Sequence, residues 1–167
     1  MKKKILTTEQ AKLVAETIKN KTAVPCYGLI IDRGRKPLLT DSKLGGLSCW
    51  PPTKEYPAAS KGNKMVLLAQ INFAKVHVQH PLPQEGILQF FLSYRDDFMY
   101  GLDEETDCQE NFRVVYHEHI DNSLTHEQVE SLHLPICGKL PDNDAMPLST
   151  EYALNLAKCF IHGIAAK

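Results

Sequence analysis

At 167 residues, 43% hydrophobic and 23% charged, the chain is long enough to bury ~70% of its unfolded surface as one domain, which excludes disorder as the default and any need for disulfide or metal stapling. The formal net charge of −1 conceals an uneven layout: residues 1–64 hold 13 Lys or Arg against 5 Asp or Glu, and residues 65–167 hold 6 against 15. Because the basic residues are scattered rather than blocked, oppositely charged faces of one domain are expected and a nucleic-acid partner is not. The opening Met1-Lys2-Lys3-Lys4-Ile5-Leu6 has the basic start of a signal peptide, but Thr7-Thr8-Glu9-Gln10 ends the apolar run. No window approaches the roughly 18 apolar residues that span a bilayer, so no membrane partner is expected.

Thr7 as N-cap with Gln10 three residues on makes a capping box, and Ala11, Val14 and Ile18 at helical spacing predict a buried stripe. Asn20-Lys21 and Pro25 close this helix. Residues 26–31 have the branched apolar composition of a strand, ended by the turn residues Asp32-Arg33-Gly34. Residues 36–64 hold too many Pro and Gly for a long element and predict an ordered loop. Met65–Phe73 reads as a central strand, with Leu67, Ala69, Ile71 and Phe73 on one face and Val66, Leu68, Gln70 and Asn72 on the other. Further strands are predicted over 87–94 and 112–120, and the seven acids from Asp96 to Glu110 read as a solvated loop. Leu124-Thr125-His126-Glu127-Gln128-Val129 repeats the capping-box pattern before a short helix, with a Leu124–Val129 staple. Ser149 or Thr150 caps a last helix carrying Ala153, Leu156 and Phe160 on one stripe.

Five cysteines, an odd number without a C-x-x-C pair, read as reduced thiols of a cytoplasmic protein.

Asp41-Ser42-Lys43-Leu44-Gly45-Gly46-Leu47 and Trp50-Pro51-Pro52 are followed by Leu67-Leu68-Ala69-Gln70-Ile71-Asn72-Phe73 and Gly86-Ile87-Leu88-Gln89-Phe90-Phe91. Together with Tyr100-Gly101-Leu102-Asp103 and Phe112-Arg113-Val114-Val115-Tyr116, they resemble the YwqG-like bacterial family, a domain of unknown function. The resemblance runs from about Pro25 to Tyr152. It implies a cytoplasmic bacterial protein without an established activity, in a family whose longer members carry a second, similar segment. Residues 1–167 are therefore expected to form a single YwqG-like domain lacking the family's C-terminal segment. The expected fold is α+β, a mainly antiparallel sheet with an N-terminal and a C-terminal helix.

Ser42-Lys43-Leu44-Gly45-Gly46 is the leading candidate for ligand or partner contact, because two glycines permit positive φ and close approach while Lys43 supplies a charge. A structural tight turn is its plainer reading, and the order is reversed from that of a phosphate loop. Gln70, Asn72 and Gln89 interrupt apolar strands, either as a ligand-orienting row or as partners of neighbouring backbone, with Asn72 closing its strand in an Asx turn. Trp50 reads as an aromatic anchor or as loop packing. His117 and His119, on one face of a strand, would offer two nitrogens to a metal, without a marked third ligand.

No G-x-S-x-G elbow or protease signature occurs. The residues thus favour a protein-binding or interaction module over catalysis, with no cofactor and an unidentified protein partner. Family association alone adds toxin systems as a setting. The alternative is a metal-dependent hydrolase using His117 and His119. The apolar surface that a missing second segment would leave uncovered predicts a homodimer, through the last helix around Leu156 and Phe160 or a sheet edge.

Overall fold

The computed structural model describes residues 7–59, 61–79, 81–94, 111–140 and 148–161. In chain order these form helix α1 (Thr8–Lys21), strands β1 (Val24–Asp32), β2 (Lys43–Leu44) and β3 (Val66–Asn72), a 3-10 turn (Phe73–Lys75), β4 (Ile87–Leu92), β5 (Phe112–His117), helix α2 (His126–Glu130) and β6 (Tyr152–Ile161). The strand order is β1-β6-β2-β3-β4-β5, and every pairing with a defined register is antiparallel. The chain divides into two compact units, Met1–Leu29 with Leu156–Lys167, and Ile30–Asn155. Among the described residues no helix is long and apolar enough to cross a membrane.

In the first unit, α1 starts at the expected capping box: Thr7 Oγ1 accepts from the Gln10 amide at 3.3 Å, and Gln10 Oε1 accepts from the Thr7 amide at 3.1 Å. Local capping suffices to define this end whether or not a face is buried. The predicted stripe is not buried, with Val14 45% and Ile18 53% exposed.

The second unit is built on β3, which lies between β2 and β4. One sheet face carries the core. Leu67 and Phe91 project there against Leu47, Trp50, Ala59, Met65, Val129 and Leu134, supplied by the Pro-rich loop and the α2 region. Each buried leucine, methionine, phenylalanine or valine among them contributes about 1.5–3 kcal/mol. Both sides of the predicted staple belong here, Val129 in the core and Leu124 packed against it. α2 itself opens on the Thr125–Gln128 capping box.

The opposite face holds Leu44, Ala69, Ile71, Leu88, Phe90, Val114 and Tyr116, which pair across neighbouring strands. Val114 and Tyr116 are 40% and 44% exposed.

Four further expectations need correction. A bulge between Leu67 and Ala69 shifts the register, so Leu67 joins the face of Gln70 and Asn72 rather than that of Ile71. The 36–64 loop contains β2, too short to leave a pattern in sequence, yet paired on both sides by Gln70–Ala69 and Ala153–Tyr152. β5 stops at His117, so His119 falls in the bend beyond it. Tyr152–Ile161 is strand β6 and not a helix: ladder pairing with β2 and burial of Ala153 and Leu154 override helical spacing. A dimer contact through a last helix falls with it. The acidic segment 96–110 lies outside the described residues.

Candidate functional site

The register brings the singled-out polar residues together. Lys43 pairs with Gln70, and Gln70 with Gln89, in one row across β2, β3 and β4 on the core-bearing face. Gln70 and Gln89 are fully buried. Gln70 Oε1 accepts from the Cys49 amide at 3.0 Å and from Gln89 Nε2 at 2.8 Å, while its Nε2 donates to the Leu39 and Asp41 carbonyls, each at 2.9 Å. Gln89 Nε2 also donates to the Cys49 carbonyl at 3.2 Å, and its Oε1 has no partner among the described residues. Asn72 Oδ1 accepts from the Ala74 amide at 3.0 Å in an Asx turn, and its Nδ2 donates to the Thr40 carbonyl at 2.7 Å. Ser42 Oγ accepts from the Asn72 amide at 2.9 Å. These side chains lace residues 39–49 onto the sheet and fix the backbone on either side of Lys43.

Asp41 completes the lacing. Burial alone would raise its carboxyl, but hydrogen bonds from Lys75, the Leu38 amide and Arg35 outweigh it and hold the group at about 2.

Lys43 differs from its neighbours. It is 1% exposed, and its Nζ donates to the Leu47 carbonyl at 2.6 Å and, at the limit of a hydrogen bond, to the Leu38 carbonyl at 3.5 Å. Burial pulls the amine from its ordinary 10.5 down to about 8, against the opposing fields of Glu151, Cys49 and Asp41. Among the described residues no carboxylate forms an ion pair with it: Asp41 is taken by Lys75 and Arg35, and Glu151 lies 3.7 Å from Lys36 Nζ.

Lys43 lies in the wall of a cleft of about 480 Å³. Leu38, Leu39, Leu47 and Leu124 supply apolar lining; Thr40, Asn122 and His126 supply polar groups, with Lys36 and Glu151 also on the wall. A smaller cavity of about 280 Å³ shares Lys36, Leu47, His126 and Glu151 and reaches Gly46. Gly45 and Gly46 adopt φ of 60° and 73°, which ends β2 sharply. A Cβ at Gly46 would overlap the Glu151 carboxylate, so the second glycine makes the room in which Glu151 sits.

Trp50 is buried away from this cleft, in the core. Its Nε1 donates to the Lys54 carbonyl at 3.0 Å, and its ring meets those of Tyr56, Phe91 and His117 edge-on. His117 is buried beside it, with Nδ1 3.3 Å from Lys54 Nζ and Nε2 without a partner among the described residues. Burial, then the Lys54 charge, lowers its pKa. His119 is exposed. Among the described residues no group of three or more His, Cys, Asp or Glu is placed to hold a metal.

Of the candidate site residues read from the sequence, Lys43 alone lines the cleft, and Gly46 lines the smaller cavity beside it. Leu38, Thr40, Asn122, Leu124, His126 and Glu151 were missed as site residues, because they converge from three separated segments and the one local motif among them, the Leu124–Val129 capping box and staple, signals a helix start and not a ligand.

No curated protein is similar enough to this chain to lend it a function. A protein-family model described as "Domain of unknown function (DUF1963)" matches residues 42–162, from the Ser-Lys-Leu-Gly-Gly segment through the last strand, and the chain belongs to that family.

Proposed function

We propose that this protein is a binding module that takes a segment of a partner protein in the Lys43 cleft. The observation that carries this reading is a half-apolar cleft of about 480 Å³ whose wall holds a buried lysine without an acidic partner among the described residues. A cleft with an apolar lining and a few convergent polar groups is the usual form of a binding site. The scaffold around it is fixed by Gln70, Asn72 and Asp41, which leaves the cleft pre-formed. The YwqG-like resemblance, with its bacterial, cytoplasmic and toxin-system associations, accords with a partner-binding role. The thiols of Cys49, Cys137 and Cys159, unbridged among the described residues, suit a reducing compartment. The hydrolase reading gains nothing from His117, whose imidazole faces an ammonium that disfavours a cation.

Selection of a displayed random-peptide library against the folded chain tests the proposal. Enriched peptides should bind the Asn122→Trp variant about tenfold or more weakly, since Asn122 is an exposed lining residue and the indole narrows the cleft without disturbing the core. Undiminished affinity for that variant contradicts the assignment.

A further inference from the structure

A lysine ammonium has three N–H donors. Lys43 directs two of them at neutral backbone carbonyls, those of Leu47 at 2.6 Å and Leu38 at 3.5 Å. A charge taken out of water without a counter-charge is costly, and folded chains retain one where something else compensates. Neither nearby acid forms an ion pair with Lys43 among the described residues: Asp41 bonds Lys75 and Arg35, Glu151 lies 3.7 Å from Lys36 Nζ, and their fields offset the burial only in part. No carboxylate among the described residues forms an ion pair with the Lys43 ammonium, and the cleft whose wall it joins is the side from which one can arrive.

We propose that Lys43 recognises a carboxylate: the cleft takes an acidic side chain of the partner segment, whose apolar neighbours pack on Leu38, Leu39, Leu47 and Leu124. This rests on the binding-module reading and specifies its ligand chemistry. The third N–H donates to the carboxylate, a charge-assisted bond of the stronger kind. The Leu47 and Leu38 carbonyls orient the ammonium before the ligand arrives. Lys36, held beside Glu151, adds a second cation to the same wall.

The test uses defined probes on the full chain carrying ¹⁵N-lysine. 4-Methylpentanoate joins a branched apolar body to one carboxylate, and 4-methylpentanamide is its uncharged counterpart. An acetylated, amidated Leu-Glu-Leu peptide and its Leu-Gln-Leu counterpart present the same contrast within a chain. The acid should move the Lys43 Nζ resonance saturably and shift its titration upward. It should bind about tenfold or more tighter than the amide, and the Glu peptide should exceed the Gln peptide by a similar factor. Both preferences should vanish in Lys43→Met, whose fold is checked by its amide spectrum.

Equal binding of acid and amide overturns the inference, as does a preference that survives Lys43→Met or the absence of binding by every probe. A preference for the free acid without one for the Glu peptide would place a small acid in the cleft and overturn the partner-segment form. If displayed peptides bind in the cleft without regard to charge, this inference fails while the binding-module reading stands.

Discussion

Gln70→Leu should bring the protein to the edge of unfolding. The substitution keeps the side-chain volume but strips partners from the Cys49 amide, the Leu39 and Asp41 carbonyls and Gln89 Nε2, all inside the sheet–loop interface. Each buried group left unpaired costs about 1–3 kcal/mol, so the loss is on the order of 4 kcal/mol or more, against a typical total of about 5–15 kcal/mol. Urea unfolding monitored by the fluorescence of Trp50, which sits in the same core, measures it. A change of less than about 1 kcal/mol would mean that the row of amides does not hold the loop and that its residues are free to serve a ligand.

Lys43→Met, at the position directly across the ladder from Gln70, should move stability the other way. The Lys43 amine sits at about 8 in the folded protein, against an ordinary 10.5. Below about 8 both states hold the proton, and the folded protein carries the whole penalty of the buried charge, about 3 kcal/mol. Between about 8 and 10.5 the folded state releases the proton before the unfolded state does, so wild-type stability rises with pH across that window. Methionine removes the penalty and forfeits the charge-assisted bond to Leu47, worth about 2 kcal/mol. The variant should therefore be more stable by about 1 kcal/mol at pH 7, with an advantage that shrinks as the pH passes 8 towards 10.5. Denaturant midpoints for both proteins at pH 7 and pH 10 check it. A destabilised variant at pH 7 would assign Lys43 to scaffolding, since a residue kept at a cost to stability is the mark of a functional site.

The contrast between these neighbours marks where sequence reading stops. The capping boxes at Thr7 and Thr125 and the strands over 66–72 and 87–92 are legible because their signals are local: a spacing of three residues, or an apolar run between turns. β6 reads as a helix because Ala153, Leu156 and Phe160 have helical spacing, and only the ladder to β2 overrules it. The bulge after Leu67 leaves no mark on composition, yet it decides which face that side chain joins. In the site, the Lys-Leu-Gly-Gly segment was visible, as were Gln70 and Gln89, but not the difference between them. Gln70 is enclosed by backbone partners from the 39–49 loop, whereas Lys43 meets a cleft completed by Asn122, Leu124 and Glu151 from far along the chain.

The opposite sheet face, with Val114 and Tyr116 exposed, is the competing place for a partner or a second copy. Mapping of amide chemical-shift changes, on titration with the tightest peptide from the displayed library, separates it from the cleft. Binding at the Lys43 cleft predicts changes over residues 36–47 and 122–126 and at Glu151, with little at Leu88, Phe90, Val114 and Tyr116. Changes concentrated on those four residues, with the cleft undisturbed, would contradict it.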